Sequence, residues 1–242
     1  MAFDHDAILI YDDTSRSPDL LWRCGFQAPD AFLYFEKRGR KTIVIGDLEI
    51  GRAREQANVH SVVPVAKFAK RLAKRTGKHP GVAEVIAEIF RERKVEKVLV
   101  PGSTRVDFVA KLKKAGLKVR HKEDPFYPER EIKTEEEIAA IRESVVATEA
   151  ALEAGITAIR ESNINRGKLY LGGAVLTSER VRGIINSHLM DAGWIGKGTI
   201  VAGGEHAVDP HNLGSGPLLA HRPIILDVFP RSTRTMYHAD MT

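Results

Sequence analysis

The chain has 242 residues, a net charge of +5, and 43% hydrophobic and 29% charged residues. This composition is typical of a globular protein with one large domain or two ordinary ones. No apolar run approaches the roughly 20 residues of a membrane helix, and the acidic N-terminus does not resemble a signal peptide. The single cysteine, Cys24, excludes an internal disulfide, so a cytoplasmic location is expected.

The first half of the chain alternates between strand-like and helix-like segments. Short apolar runs predict strands at 7–11, 31–36, 42–46, 97–101 and 117–120. Apolar residues at helical spacing predict helices at 48–58, 81–94 and 105–115. Glutamates at a spacing of four are expected on a solvated face: Glu84, Glu88, Glu92 and Glu96. The alternation predicts a small α/β domain.

Residues 67–120 are strongly basic, with 16 Lys and Arg, 5 Asp and Glu, and a net charge of +11. Such a segment can form a nucleic-acid surface. Here the basic residues alternate with apolar ones at helical spacing, and no row of aromatic side chains is present for base stacking. We favour a solvated helix face and keep nucleic-acid binding, with its steep salt dependence, as an alternative.

The second half opens with a linker-like stretch, residues 122–130, that holds two prolines and many charges. A capping-box pattern at Thr134 and Glu137 then predicts a long amphipathic helix. Its expected inward stripe is Ile138, Ile141, Val145, Thr148 and Leu152. A second helix is predicted over 178–191. Apolar runs predict antiparallel strands with long functional loops at 199–202, 223–229 and 236–241.

Two aspartates stand in neighbouring strand-like runs. Asp227 lies inside the apolar run 223–229, where a carboxylate is costly unless it is paired or binds a metal. Asp240 follows after a turn-like segment, 230–234. If the two runs form a hairpin, both carboxylates can lie side by side on one face, where a divalent cation would relieve their repulsion. Spacing alone leaves a second interpretation open, in which the aspartates cap turns or pair with nearby arginines.

Three histidines accompany the aspartates. His206 and His211 lie in a glycine-rich loop before the aspartate strand, where they could bind a metal or stabilise a developing oxyanion, or be structural. His238 is two residues from Asp240 and would share its strand face. His238 is therefore expected to support the metal ligands rather than to bind the metal itself.

The motifs of this region resemble those of the creatinase/methionine-aminopeptidase superfamily, the pita-bread metallopeptidases. The matching residues are Pro210-His211, Gly214, Gly216, Leu226-Asp227 and Tyr237 to Thr242. Residues 130–138 resemble the start of that family's catalytic domain. Residues 21–26 and 48–53 resemble the creatinase-type N-terminal domain, which points to the Xaa-Pro dipeptidase and aminopeptidase branch.

The resemblance implies an α/β creatinase-like domain over 1–125, followed by the first half of an α+β pita-bread metallopeptidase domain over 126–242. It also implies two divalent metal ions, Mn²⁺ or Co²⁺, with Asp227 binding one and Asp240 bridging both. His211 would stabilise the tetrahedral intermediate formed by attack of a hydroxide on the peptide carbonyl. The implied partners are a proline-containing peptide substrate and a second subunit of a homodimer, with no membrane.

The chain departs from the family pattern in two respects. Asp227 and Asp240 are 13 positions apart where about 11 is usual, and an even insertion keeps both on one face. The family's later His and two Glu ligands are not found, so the chain is expected to be truncated within the catalytic domain. Two carboxylates alone bind a divalent ion weakly. We therefore predict that this chain alone binds metal weakly or not at all and shows no peptidase activity with added Mn²⁺.

Two further alternatives follow from the same resemblance. One is a metal-free creatinase-like enzyme that cleaves C–N bonds, which aspartates at both metal positions disfavour. The other is a non-catalytic pita-bread binding protein, which intact Asp227, Asp240 and His211 disfavour for the parent protein. Cys24 has no paired histidine in sequence and is not expected to be a nucleophile.

Overall fold

The structure, a computed structural model, describes residues 4–242. Residues 1–3 lie outside the described residues. They are the first residues of the predicted domain 1–125 and of the acidic N-terminus that does not resemble a signal peptide. The chain divides into two compact units between Glu131 and Ile132, six residues beyond the boundary expected from the sequence. The difference arises because Phe126 and Tyr127, within the linker-like stretch, are buried in the core of the first unit.

The first unit is a six-stranded sheet flanked by helices. Its strands are β1 (Ala7–Asp12), β2 (Phe32–Lys37), β3 (Arg40–Ile45), β4 (Ser61–Pro64), β5 (Lys97–Pro101) and β6 (Lys118–Lys122). Its helices are α1 (Pro18–Cys24), α2 (Ile50–Gln56), α3 (Val65–Thr76), α4 (Val82–Glu92) and α5 (Val106–Lys114), followed by a short 3-10 turn at Pro128–Glu131.

The sheet order is β4-β3-β2-β1-β5-β6. Strand β2 is antiparallel to both its neighbours, β1 and β3. All other neighbouring strands pair in parallel, so β2 alone runs against the rest of this sheet. The two faces of the sheet bury separate cores. Helices α3, α4 and α5 pack on one face and α1 and α2 on the other. The five strands predicted from apolar runs in this unit are confirmed to within two residues, whereas β4 was not predicted.

The expectation of a solvated glutamate face is wrong at Glu88, which is only 3% exposed. Arg75 reaches across from α3 and binds both carboxylate oxygens of Glu88 at 3.0 and 2.6 Å. Arg91 also contacts this carboxylate. A buried carboxylate requires such partners, because it would otherwise lose its hydration without compensation. Two of the basic residues of 67–120 therefore pair with a buried carboxylate of the same unit.

The second unit contains two helices and several short strands. The helices are α6 (Glu135–Arg160) and α7 (Ser178–Asp191). The strands are β7 (Asn163–Asn165), β8 (Lys168–Leu171), β9 (Ala174–Val175), β10 (Trp194–Gly196), β11 (Ile200–Gly203), β12 (Ile224–Asp227) and β13 (Pro230–Ser232). A 3-10 turn, Gly204–Val208, follows β11. Both helices were predicted, whereas the small β7-β8-β9 sheet was not.

Helix α6 begins as predicted at a capping box, in which Thr134 accepts from the Glu137 backbone N–H and Glu137 accepts from the Thr134 N–H. Its buried face differs from the expected stripe. Thr148 and Leu152 are buried, but Ile138, Ile141 and Val145 are only half-buried. The buried positions are mostly small: Ser144, Ala147, Ala151, Gly155 and Ala158. Small side chains allow a close approach of neighbouring elements.

Gly155 marks the closest approach of α6 to α7. A Cβ atom at Gly155 would lie 2.8 Å from Cγ1 and Cδ1 of the buried Ile185. We expect Gly155→Ala to destabilise the protein by about 1 to 2 kcal/mol, because overpacking outweighs the gain in helix propensity. Thermal or urea unfolding measures the effect.

Gly183, in α7, provides the matched control. It is exposed, and a Cβ atom there would meet nothing within 4 Å. Gly183→Ala should therefore stabilise the protein by about 0.5 to 1 kcal/mol. Equal effects of the two substitutions would contradict the close packing described for Gly155.

Within residues 4–242, every helix is too short or too polar to cross a membrane.

Candidate functional site

The predicted aspartate hairpin is present in the second unit. Val228 pairs with Met241, and Arg231 with His238, in two antiparallel bridges of the same register. The pair of backbone hydrogen bonds between Val228 and Met241 measures 3.0 and 3.1 Å. The turn lies beyond Ser232 and not at 230–234 as expected, because Pro230–Ser232 is the strand β13. Because the two bridges share one register, alternate residues of the hairpin lie on the same face from Val228 to Arg231.

This register decides how the two aspartates are related. Asp227 lies opposite Thr242, and Asp240 lies opposite Phe229, so the aspartates share one face as diagonal neighbours rather than as a direct pair. Diagonal positions in an antiparallel pair are typically about 7 to 8 Å apart, which longer side chains or a bridging ion can span. The other face carries Val228 and Met241, which pack on the hydrophobic core of the unit.

The two carboxylates have few competing partners. Asp227 is half-buried and accepts a hydrogen bond from the Thr242 hydroxyl at 3.0 Å. Asp240 is exposed, and neither a hydrogen bond nor an ion pair to its carboxylate occurs within residues 4–242. Arg234, the arginine in the turn, binds Glu143 instead. The interpretation of the aspartates as partners of nearby arginines therefore finds no support in the described contacts.

The three candidate histidines are placed differently. His238 lies two positions from Asp240 on the same hairpin face, as expected, and is exposed. His206 lies in the 3-10 turn that follows Gly203. In the β11–β12 ladder, the pair of Gly203 with Ile224 forms one end, and Asp227 lies at the other end. Three further residues along a strand correspond to about 10 Å, so the ladder separates His206 from Asp227.

His206 belongs instead to a separate cleft of about 530 Å³ at the far end of the ladder. Ser178, at the start of α7, and Arg222 also line this cleft. Neither aspartate of the hairpin is among its lining residues. His206 is therefore better placed for this cleft than for the hairpin face.

His211 is exposed on a loop that folds back along β11. Its backbone N–H donates to Asp209 Oδ1 at 3.1 Å, and the loop is tied to the strand by the Val201 N–H, which donates to the Leu213 carbonyl at 3.1 Å. Gly214 makes this approach possible, because a Cβ atom there would lie 1.8 Å from the Val201 carbonyl oxygen. The loop thus has a defined position beside the strand that pairs with Asp227.

Contacts that the sequence analysis did not foresee anchor the hairpin to α6. The Tyr237 hydroxyl donates to Glu137 at 2.6 Å, and the Ser144 hydroxyl lies 3.3 Å from the Tyr237 carbonyl oxygen. Burial opposes ionisation of Glu137, but the hydrogen bonds from Tyr237 and Thr134 outweigh it and lower the pKa of this carboxyl. Glu137 was recognised only as a capping residue, and no sequence pattern linked it to Tyr237.

Cys24 is fully buried in the first unit, and burial raises the pKa of its thiol to about 11. At pH 8 only about one thiol in a thousand would be the reactive thiolate. We expect iodoacetamide at pH 8 to leave Cys24 unmodified in the folded protein and to alkylate it fully in denaturant. Mass spectrometry distinguishes the two, and rapid alkylation of the folded protein would contradict the burial.

The hairpin face fits one part of a metal site. Two carboxylates on one face supply oxygen ligands of the kind that Mn²⁺ accepts. However, His, Cys, Asp and Glu side chains come together nowhere in residues 4–242 as a group of three that could hold an ion. The described residues therefore bring together two candidate ligands, and a metal site would need others.

No family model matches the chain, and no curated protein matches it significantly in sequence. Solved structures do match. Prolidase from Pyrococcus furiosus aligns with a TM-score of 0.72 and 19% identity over 98% of this chain and 60% of its own. X-Pro aminopeptidase from Thermotoga maritima and Xaa-Pro dipeptidase from Bacillus anthracis each align with a TM-score of 0.74 and 16% identity over 98% of this chain. The chain has the prolidase fold.

The match spans both units of the chain but only 59 to 61% of the length of these three prolidase-type structures. It confirms the predicted fold class, a mixed α/β first unit followed by a second unit that aligns with the same prolidase-type structures. At 16 to 19% identity it establishes the fold alone, so the roles of Asp227, Asp240 and the histidines stay predictions.

Proposed function

We propose that this chain contributes to a metal-dependent peptidase that acts on peptides with proline as the second residue. The observation that carries the proposal is the placement of Asp227 and Asp240 on one hairpin face, with Asp240 unpaired within residues 4–242. The prolidase fold supports it, since solved structures of this fold include prolidases and Xaa-Pro aminopeptidases.

Asp227 and Asp240 would hold a pair of divalent ions, Mn²⁺ or Co²⁺, together with further ligands. When bound, the metal pair would supply Lewis acidity and activate water. Thr242 holds the Asp227 carboxylate by its hydrogen bond and so limits its rotation. The exposed His238, on the same face, would orient the ligands through hydrogen bonds.

His211 is proposed to donate a hydrogen bond to the oxyanion that forms when the peptide carbonyl is attacked. Its loop is held against β11 by the Val201–Leu213 hydrogen bond, which would limit its movement. We further propose a homodimer and a cytoplasmic location, as in the expectations from sequence.

The test measures hydrolysis of an Xaa-Pro dipeptide, with and without Mn²⁺, by the longest product of the gene and by this 242-residue chain. The proposal expects Mn²⁺-dependent hydrolysis by the former that a chelator abolishes, and none by the 242-residue chain alone. Hydrolysis that persists after removal of all divalent metal would contradict the proposal and favour the metal-free creatinase-like alternative.

A second candidate is a binding protein of the same fold without catalysis. The observation that favours it is the lack, in residues 4–242, of a third metal ligand near the two aspartates. Proline-containing peptides that bind with equal affinity with and without metal, and are never cleaved, would support this candidate.

A further inference from the structure

The first unit contains a cleft of about 420 Å³ that the proposed peptidase function does not use. We call it the acidic cleft. Its floor is apolar and includes Leu33, Val44 and Ile86, all of which are buried. Its remaining wall comes from α3 and α4 on one face of the sheet. A concave, largely apolar cavity of this size is typical of sites for small ligands.

The acidic cleft lies at the carboxyl ends of two strands. Tyr11 belongs to the last residues of β1, and residues 44–49 comprise the end of β3 and the loop that follows it. In open α/β sheets with helices on both faces, ligands bind in crevices outside the carboxyl ends of the strands. The position of the cleft thus agrees with its shape.

All charged residues that line the cleft are acids, namely Asp30, Asp47 and Glu49. The lining contains no Lys, Arg or His, although neighbouring residues 67–120 carry a net charge of +11. Asp30 and Asp47 are exposed and take part in no hydrogen bond or ion pair with any other described residue. The cleft therefore presents two unneutralised carboxylates beside helices α3 and α4, which lie largely within the basic stretch 67–120.

Two further polar groups in the cleft are available to form hydrogen bonds with a ligand. Glu49 Oε2 is buried and lies 3.2 Å from Arg52 Nη1, yet it accepts no hydrogen bond of good geometry from the part of the chain described. The Tyr11 hydroxyl likewise has no partner among residues 4–242. Burial raises the pKa of Tyr11, so this hydroxyl is neutral at neutral pH and can donate or accept.

Apolar side chains are exposed beside the acids. Leu48, between Asp47 and Glu49, is 95% exposed, and Val82 at the start of α4 is 46% exposed. Apolar groups in such positions gain from contact with an apolar ligand, by roughly 25 cal/mol for each Å² removed from water. The ligand that complements the cleft has both an apolar body and a positive charge.

We propose that the acidic cleft binds a small amphipathic cation, a primary ammonium carried on an aliphatic or aromatic body. The apolar body lies on the floor formed by Leu33, Val44 and Ile86, and the ammonium lies at the mouth between Asp30 and Asp47. An ammonium offers three donors, which match carboxylate acceptors. An anion of the same shape would be repelled, and a neutral molecule would lack the charge contribution.

A matched series of probes tests the proposal on the 242-residue chain. The probes are 4-phenylbutylammonium, 4-phenylbutanol and 4-phenylbutyrate, which share one apolar body and differ in charge. Titrations followed by amide chemical shifts in NMR locate and quantify binding. We expect shifts confined to the acidic cleft, at least fivefold tighter binding of the ammonium than of the alcohol, and no measurable binding of the carboxylate. Equal affinity for the ammonium and the alcohol would overturn the proposal.

Two variants distinguish the contribution of the acidic side chains to binding from the contribution of the apolar cavity. The double substitution Asp30→Asn with Asp47→Asn should weaken the ammonium at least fivefold and leave the alcohol unchanged, whereas the exposed Asp191→Asn in α7 should change neither. Ala69→Leu, which fills the cleft from α3, should weaken both neutral and cationic probes at least tenfold. Unchanged ammonium binding in the double variant would refute the role of the acids.

A second copy of the chain is the competing occupant. Analytical ultracentrifugation over the same concentration range detects it. If the chain associates, the association is weakened by Ala69→Leu, and the ammonium fails to bind, then the cleft is an interface and the proposal is wrong. None of these measurements depends on peptidase activity, so this proposal and the proposed function can fail separately.

Discussion

Replacing Gly214 by alanine is expected to destabilise the protein by more than about 4 kcal/mol, enough to unfold the second unit. A Cβ atom at this position would lie 1.8 Å from the carbonyl oxygen and 2.7 Å from the carbonyl carbon of Val201, both backbone atoms of β11. Relief would require the loop or the strand to move, and the Val201–Leu213 hydrogen bond would break. Gly214 also has φ +75, which disfavours alanine.

Gly216 is the matched control, two residues further along the same loop. Its φ is +71, but a Cβ atom there would meet nothing within 4 Å. Gly216→Ala should therefore cost only about 1 to 2 kcal/mol, the backbone strain alone. Urea unfolding of the two variants measures the difference, which isolates the steric clash. If both variants have the same stability, the loop does not lie against β11 as described.

Replacing either hairpin aspartate by asparagine is expected to remove most of the activity of the longest gene product. Asp227→Asn and Asp240→Asn each delete a carboxylate charge that would hold the metal pair. Because a metal supplies several kcal/mol of transition-state stabilisation and each 1.36 kcal/mol is tenfold in rate, kcat/KM should fall by about 10³-fold. Isothermal titration should also show weaker Mn²⁺ binding. Asparagine has nearly the same shape, so the fold should be retained.

Two further variants serve as comparisons for this loss of activity, His238→Ala and Asp191→Asn. His238 shares the hairpin face without being an expected ligand, and loss of such a supporting group typically costs 10- to 100-fold. Asp191 lies at the end of α7, away from the hairpin, and its variant should behave as the parent protein. Full activity of Asp240→Asn in the presence of limiting Mn²⁺ would exclude a metal role for Asp240.

Local patterns predicted most of the secondary structure. Helix α7 was predicted at its observed bounds and α6 at its observed start, because N-terminal capping by Thr177 and Thr134 is encoded in a few adjacent residues. Most strand runs were also found, since apolar runs between turn residues depend on local sequence. The predicted strand 236–241 is an exception, because these residues pair only through isolated bridges at His238 and Met241. The β7-β8-β9 sheet was missed, because its strands have only two to four residues and carry little periodicity.

Burial was predicted less well than secondary structure. Glu88 was assigned to solvent because its spacing fitted a polar face, yet it is buried and paired with Arg75 from another helix. Thr148 and Leu152 of the expected inward stripe of α6 are buried, but its three large residues nearer the N-terminus are only half-buried, and small residues take the other buried positions. Both errors arise because the partner of a helix face is set by distant parts of the chain.

For the candidate site, too, the sequence predicted some features and not others. The amino-acid sequence alone identified the candidate residues, Asp227, Asp240, His211 and His238, since an acid in an apolar strand and histidines close to it in sequence stand out against their neighbours. Only the tertiary structure decided their relation. The register of the hairpin made the aspartates diagonal neighbours on one face, and the β11–β12 ladder separated His206 from Asp227. Register depends on hydrogen bonds between strands and on packing of Val228 and Met241 against the core, and these are properties of the folded chain.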